Sequence, residues 1–206
     1  MRRIRQENRN TPQFFDESLF TRMKRYGGLN PCDDERFLEM SRYFKGGKFL
    51  DLGIGDSSAG LLLKNKFKDA KFYGLDFAPK LIELLKEKHP EIEYVVGDCL
   101  HTPYEDNFFD YIIAGELIEH MENPEDLIKE AMRILKPDGV FVISTPERED
   151  VTREKAVDFT HMWSFELGDF EKLMGKYGKV EEFVFTKETF PKIIAYCWKN
   201  GSTKTL

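Results

Sequence analysis

The chain reads as an α/β protein, a mostly parallel sheet with helices on both faces that ends in an antiparallel hairpin. Three observations predict this. Apolar, strand-like runs alternate with helical patterns from Lys48 to Ser144, the rhythm of right-handed βαβ units on a parallel sheet. The first run, Lys48-Phe49-Leu50-Asp51-Leu52, passes into a glycine turn, Gly53-Ile54-Gly55, and then into a helical pattern. At such a junction backbone N–H groups and a helix N-terminus face a ligand. The last two β-rich runs, Val180–Thr186 and Ile193–Trp198, are joined by a connection too short for a helical crossover, so they pair antiparallel.

The elements follow in order. Residues 1–32 begin with a locally basic segment, Arg2, Arg3, Arg5 and Arg9, then Arg22, Lys24 and Arg25, and read as a solvated arm. Asp33 to Phe44 is helical, with Phe37, Leu38, Met40 and Phe44 as apolar positions, and Gly46-Gly47 ends it. Strand Lys48–Leu52 leads to a helix near Ser58–Phe67, and strand Phe72–Asp76 leads to a helix from Pro79 to His89. Glu93–Gly97 is the third strand. The fourth, Tyr111-Ile112-Ile113-Ala114, is a continuous apolar run, as expected of a strand covered on both faces. A helix from Glu125 to Leu135 is stopped by Lys136-Pro137-Asp138-Gly139, and Val140–Ser144 is the fifth strand. A helix from about Glu166 to Tyr177 precedes the hairpin. The domain is thus expected over 33–200, with 201–206 as a tail.

A chain of 206 residues is most simply one such domain with a substantial core. Its 41% hydrophobic and 33% charged residues suit a globular protein in water. The formal charge of -6 disfavours sequence-independent nucleic-acid binding, which needs a broad cationic surface, although it leaves room for a local basic patch. Met1-Arg2-Arg3-Ile4-Arg5 has no apolar segment behind its charges, so neither a signal peptide nor a membrane span is expected. Cys32, Cys99 and Cys197 lie far apart, without a Cys-x-x-Cys pair, which suits a reduced, cytoplasmic protein without a thiolate zinc site. Oligomeric state is not legible.

Four landmarks then occur in order: Asp51-Leu52-Gly53-Ile54-Gly55, Leu75-Asp76, Gly97-Asp98-Cys99 and Leu135-Lys136-Pro137-Asp138-Gly139. With them the sequence resembles a class I S-adenosylmethionine-dependent methyltransferase, of the small-molecule, ubiquinone-pathway O-methyltransferase type. The match covers about Lys48 to Trp198, and Asp33 to Phe44 resembles the family's extra N-terminal helix. The resemblance implies a Rossmann-like seven-stranded sheet, S-adenosyl-L-methionine as cofactor, and methyl transfer to an oxygen or nitrogen of a small-molecule acceptor. It also implies roles for single residues. Gly53 and Gly55 let the backbone approach the methionine moiety, and Asp51 orients that loop and reaches toward the ammonium group. Asp76 accepts from the ribose hydroxyls and Phe77 packs on the adenine face. Asp98 accepts from the adenine amine, the Cys99 N–H serves a ring nitrogen, and Gly115 belongs to the same site. The sequence departs from the family at Asp56-Ser57, where many relatives have another glycine.

Taken singly these residues have other readings. Asp51 or Asp98 is also a helix cap or a turn acid, and a strand-end Asp76 also suits a nicotinamide dinucleotide. That fold usually continues into a longer second half, where this chain has a hairpin.

After the fourth strand comes Gly115-Glu116-Leu117-Ile118-Glu119-His120. If it turns helical, Glu116, Glu119 and His120 share one face, and two carboxylates with an imidazole hold a divalent ion or position a base. The loop Asp158-Phe159-Thr160-His161-Met162-Trp163-Ser164-Phe165 brings a second histidine to the same edge. Ubiquinone-pathway O-methyltransferases resemble this at Glu-x-x-Glu-His, with magnesium. Small-RNA 2′-O-methyltransferases resemble it more fully, with a metal and a later histidine. The resemblance therefore implies either a magnesium or manganese site at Glu116, Glu119, His120 and His161, or a metal-free pocket with His161 or His120 as base. Purely structural roles remain a third reading. A metal-assisted RNA 2′-O-methyltransferase and a non-catalytic cofactor-binding subunit are the alternative functions. Trp163, Phe165, Phe14, Phe15 and Tyr26 either line an acceptor pocket, with the N-terminal segment as its lid, or belong to the core.

Overall fold

The computed structural model describes residues 1–8, 10–26, 34–56, 58–147, 160–185 and 192–199. Its elements are β1 (Arg2–Arg3), α1 (Pro12–Tyr26), α2 (Asp34–Met40), β2 (Lys48–Leu52), α3 (Ala59–Leu63), β3 (Lys71–Asp76), α4 (Pro79–Lys88) and β4 (Glu93–Val96). They continue with β5 (Phe109–Gly115), α5 (Pro124–Ile134), β6 (Leu135–Pro146), β7 (Trp163–Ser164), α6 (Leu167–Met174), β8 (Gly178–Phe185) and β9 (Lys192–Lys199).

Seven strands form one sheet in the order β4-β3-β2-β5-β6-β9-β8. The pairs among β2 to β6 are parallel, and β9 runs antiparallel to both β6 and β8. The chain builds outward from β2 to β4, then returns to lay β5 on the other side of β2. This reversal opens a crevice beyond the carboxyl ends of β2 and β5, the place where open α/β sheets bind ligands.

The strands β2, β3, β5, β6 and β9 are buried on both faces along most of their length, which explains their apolar runs. Phe49, Tyr111, Val142 and Tyr196 pack on one face with Phe37 and Met40 of α2 and Leu81 and Leu85 of α4. Leu50, Ile112, Phe141 and Ala195 pack on the other with Leu127 and Ala131 of α5 and Phe170 and Met174 of α6. The helices start where their sequences direct. The Asn123 side chain accepts from the Glu125 N–H, Pro124 takes the first turn and Glu125 and Asp126 face the positive end of α5. Glu166 and Asp169 cap α6 reciprocally.

Four expectations change. Lys136-Pro137-Asp138-Gly139 does not separate a helix from a strand, because β6 already begins at Leu135. Leu135 pairs with Phe109 and Val140 with Tyr111, so the turn is looped out of one strand. Pro137 has no N–H to give the ladder, which is why the residues around it leave the register. The helix expected over Asp33 to Phe44 stops at Met40, and that near Ser58–Phe67 is reduced to Ala59–Leu63. The N-terminal segment is not simply a solvated arm. Arg2 and Arg3 pair antiparallel with Ser164 and Trp163, and Pro12–Tyr26 is helical. Leu19 and Asp16 of that helix are buried. The tail, residues 201–206, lies outside the described residues.

Candidate functional site

The crevice is a cavity of about 470 Å³ at the carboxyl ends of the strands. Its first wall is the loop after β2. Gly53 has φ +73 and Gly55 φ +57, both in the left-handed region. At Gly53 a Cβ would also stand 2.7 Å from Leu117 Cδ1, so this glycine is held by a protein neighbour. Gly55 differs: nothing lies within 4 Å of where its Cβ would be, and it lines the cavity.

Two carboxylates tie the loop to the sheet. Asp51, almost fully buried, accepts from the Ala59 N–H at 3.1 Å and so fixes the start of α3. Burial pushes its carboxyl up to about 7, against the pull of the Ala59 N–H and of the Arg36 charge. Asp76, at the end of β3, accepts from the Gly55 N–H through Oδ2 and from the Ala78 N–H through Oδ1, each at 3.0 Å. Burial raises its pKa too, opposed by those N–H groups. Asp98, beyond β4, is mostly exposed, accepting from the Leu100 N–H at 2.9 Å with His101 Nδ1 3.1 Å away. Burial pushes the Cys99 thiol up to about 12, which makes it a wall rather than a nucleophile. Phe77, Asp98 and Cys99 all line the cavity.

The second wall follows β5. Glu116 is not on a helix: its φ is +53, and only Ile118–His120 forms a single 3₁₀ turn. Its carboxylate accepts from Ser144 Oγ at 2.9 Å and faces Arg36 Nη1 at 3.3 Å and Lys192 Nζ at 3.7 Å. The expected shared face of Glu116, Glu119 and His120 is therefore not formed. Among the described residues the group able to hold a cation is Glu119, His120 and His161, whose ligand atoms lie within 4.8 Å of one another.

Glu119 is 1% exposed and accepts from Thr145 Oγ1 at 2.9 Å. Burial, then repulsion from Glu116, pushes its carboxyl up to about 8, while His161, 3.9 Å away, pulls it down. His120 Nδ1 lies 3.2 Å from the Thr160 carbonyl oxygen. A carbonyl only accepts, so the proton sits on Nδ1 and a neutral His120 carries its lone pair on Nε2.

The N-terminal segment closes the third side. The Asn10 amide donates to the carbonyls of His120 at 2.9 Å and Thr160 at 2.8 Å. Phe14 and Phe15 line the cavity, and the Phe15 ring sits 5.5 Å from those of Phe77 and His120. Asp16 accepts from the Lys80 N–H at 2.7 Å and caps α4.

The cavity brings together Gly53, Gly55, Asp76, Phe77, Asp98, Cys99, Gly115, Glu116, His120 and His161, while Asp51 and Glu119 stand buried behind its walls. Trp163 and Phe165 are not in its lining. Phe165 is fully buried against Phe170, and Trp163 donates to the Met121 carbonyl at 2.9 Å. The Tyr26 side chain lies outside the described residues. Sequence reasoning missed Arg36, Asn10 and Asp16. A signal existed for the helix that carries Asp16, since Thr11-Pro12 is an N-cap followed by a first-turn proline, and Thr11 Oγ1 accepts from the Phe14 N–H at 3.2 Å.

Residues 50–143 match the family model described as a methyltransferase domain. A demethylmenaquinone methyltransferase of Lactobacillus johnsonii is 30% identical over 164 residues, 73% of this chain and 64% of the relative. Phosphoethanolamine N-methyltransferase 2 of Caenorhabditis elegans is 27% identical over 139 residues, 65% of this chain and 28% of the relative. The chain thus spans less than two thirds of the length of either curated relative. Among solved structures, a TehB-like SAM-dependent methyltransferase from Corynebacterium glutamicum shares the fold with TM-score 0.67 and 21% identity, covering 92% of this chain and 100% of that one. Residues 50–143 are thus similar to a methyltransferase domain, and the chain shares its fold with a solved SAM-dependent methyltransferase.

Proposed function

We propose that this chain transfers a methyl group from S-adenosylmethionine to an oxygen or nitrogen of a small-molecule acceptor. The observation that carries the reading is the open face of Gly55 beside the Asp76 and Asp98 carboxylates, at the switch point of the sheet. The residues fit the cofactor. The empty space over Gly55 admits a ligand against backbone, and the acids at the ends of β3 and β4 accept hydroxyl and amine hydrogens. Asp76 would take the ribose hydroxyls, Asp98 with the Cys99 N–H the adenine edge, and Phe77 the adenine face. Asp51 and Gly115 would serve the methionine end. When bound, the cofactor supplies an already activated methyl group. What remains for the protein is to align the acceptor and take its proton where one is lost. His120 would take the second task, with Nε2 as its basic atom, and His161 stands beside it with ring centroids 4.8 Å apart.

The names of the relatives, which point to a quinone precursor and to phosphoethanolamine, support a small-molecule acceptor, and the net charge of -6 speaks against RNA. We place the methyltransferase domain at 33–200, with 1–32 closing over the cavity and 201–206 as tail. Among the described residues no helix is long and apolar enough to cross a membrane. The free thiols of Cys99 and Cys197 support a cytoplasmic protein.

A second reading is favoured by one observation, the close approach of Glu119, His120 and His161. There the cluster holds a divalent ion that lowers the pKa of an acceptor hydroxyl. Two imidazoles and one carboxylate suit manganese better than magnesium.

The test is methyl transfer by the purified chain from labelled S-adenosylmethionine to a panel of quinols, phenols and ethanolamine phosphates, with and without manganese. Transfer that falls at least 100-fold in His120→Ala supports the reading. Transfer to none of these acceptors under either condition counts against it, and dependence on manganese selects the second reading.

A further inference from the structure

The wall that carries Asp98 and Cys99 is a loop, residues 97–107 between β4 and β5, without a strand ladder to fix it. Its first residues are held locally. The Gly97 N–H donates to the Asp76 carbonyl at 2.9 Å, and the Leu100 N–H to Asp98 Oδ1 at 2.9 Å. The Asp98 side chain is nevertheless 57% exposed, so packing does little to define where its carboxylate stands. The firm anchors come further along the loop, and they belong to α5.

Glu130 of α5 is buried, and its Oε1 accepts from both the N–H and the Oγ1 hydroxyl of Thr102, each at 2.7 Å. Arg133, one turn on, grips the same carboxylate with a fork, Nε to Oε2 at 2.8 Å and Nη2 to Oε1 at 2.7 Å. Its Nη1 donates to the Tyr104 carbonyl at 2.9 Å and to Asp106 Oδ1 at 2.8 Å. The carbonyls of Arg133 and Ile134 accept from the Asn107 and Phe108 N–H groups at 3.0 and 2.8 Å. The last turns of one helix thus hold the loop at Thr102, Tyr104, Asp106, Asn107 and Phe108.

Neither Glu130 nor Arg133 is part of the cavity wall. At i and i+3 the two read as an ordinary surface pair. Burying a carboxylate costs hydration, and an apolar residue in its place often serves stability as well. The use of the pair therefore lies in geometry. α5 is itself firmly placed, with Leu127, Ile128, Ala131 and Ile134 fully buried in the core. A binding group on a loop keeps its place when supports on such an element fix it.

We infer that Glu130, locked by Arg133, is a positioning residue: through Thr102 it sets the loop so that Asp98 and the Cys99 N–H meet the edge of the adenine. The inference rests on the cofactor reading above and adds to it a support that touches no ligand. Removing the support leaves the ribose and amino-acid contacts in place and blurs the reading of the base.

The experiment is calorimetric titration of the full chain with S-adenosylhomocysteine and S-inosylhomocysteine, in which oxygen replaces the 6-amino group and N1 carries a proton. Both changes set like against like, an acceptor facing Asp98 and a donor facing the Cys99 N–H. The wild type is therefore expected to prefer the adenine probe by about 100-fold or more. Glu130→Ala should cut that preference to about tenfold or less, through weaker binding of S-adenosylhomocysteine. A folded Glu130→Ala protein that keeps the preference, whether it binds both probes as before or both more weakly, would overturn the inference and leave the pair a structural role. Equal wild-type affinity for the two probes would overturn it as well. Should Glu130→Ala not fold, Thr102→Ala takes its place, with a reduced preference in support and an unchanged one against. A wild type that binds neither probe overturns the cofactor reading itself, an outcome distinct from the failure of Glu130.

Discussion

If Asp51 serves the ammonium end of the cofactor, as proposed, cofactor binding depends on pH. Its carboxyl, held up at about 7 by burial, is mostly protonated at pH 6 in the free protein. The ammonium of an incoming S-adenosylhomocysteine favours the charged form, since an opposite charge nearby lowers the pKa of an acid. Binding at pH 6 therefore ionises Asp51 and releases a proton, up to about nine-tenths of one for a group one unit below its pKa. At pH 8.5 Asp51 is already ionised and the release vanishes. The affinity follows the same linkage: it is flat above pH 7 and weakens as pH falls below it, by up to about tenfold per unit. Calorimetry in buffers of different ionisation enthalpy counts the proton directly. Asp51→Asn keeps an oxygen to accept from the Ala59 N–H but cannot titrate, so the release at pH 6 should disappear. A wild type that releases no proton at pH 6, or an Asp51→Asn protein that releases as many, would refute the reasoning.

The remaining expectations are simpler. Asp51 and Glu119, raised to about 7 and about 8, hold protons in the folded state that the unfolded chain gives up near its ordinary carboxyl pKa. Each therefore stabilises the fold at low pH relative to high, and denaturant unfolding should show stability falling from pH 5 to pH 8.5, with a shallower fall in Glu119→Gln. Asp76→Ala should leave the Gly55 and Ala78 N–H groups without their carboxylate and weaken S-adenosylhomocysteine binding by about 1–3 kcal/mol in calorimetry. Asn10→Ala should untie the N-terminal segment from the His120 and Thr160 carbonyls, costing about 1–2 kcal/mol in unfolding and speeding proteolysis before Pro12. Gly53→Ala should cost at least about 1 kcal/mol from the left-handed backbone alone, before Leu117 is displaced.

The sheet was legible in the sequence because its strands are covered on both faces. Runs such as Tyr111-Ile112-Ile113-Ala114 can hardly be anything but interior strands once helical patterns flank them. The positions of the glycine loop and Asp76 were legible for a related reason, since each follows the end of a strand. What escaped was set by tertiary contact. Arg36 sits among Glu35, Glu39 and Arg42, a pattern that reads as a solvated helix face. It is buried because α2 packs over the ends of β5 and β6. Glu116 adopts a left-handed backbone that few non-glycine residues take, and Arg36, Ser144 and Lys192 surround its carboxylate there. Its departure from the expected helical face removed it from the histidine cluster. The Lys136–Gly139 turn misled because proline and glycine mark a break in register as readily as the end of an element.

A crystal structure of the chain with S-adenosylhomocysteine tests the central claim most directly. The account predicts the ribose on Asp76, the adenine edge at Asp98 and Cys99, and the amino-acid end beside Gly115. A ligand seated outside this crevice, or a crevice that stays empty at saturating concentration, would contradict it.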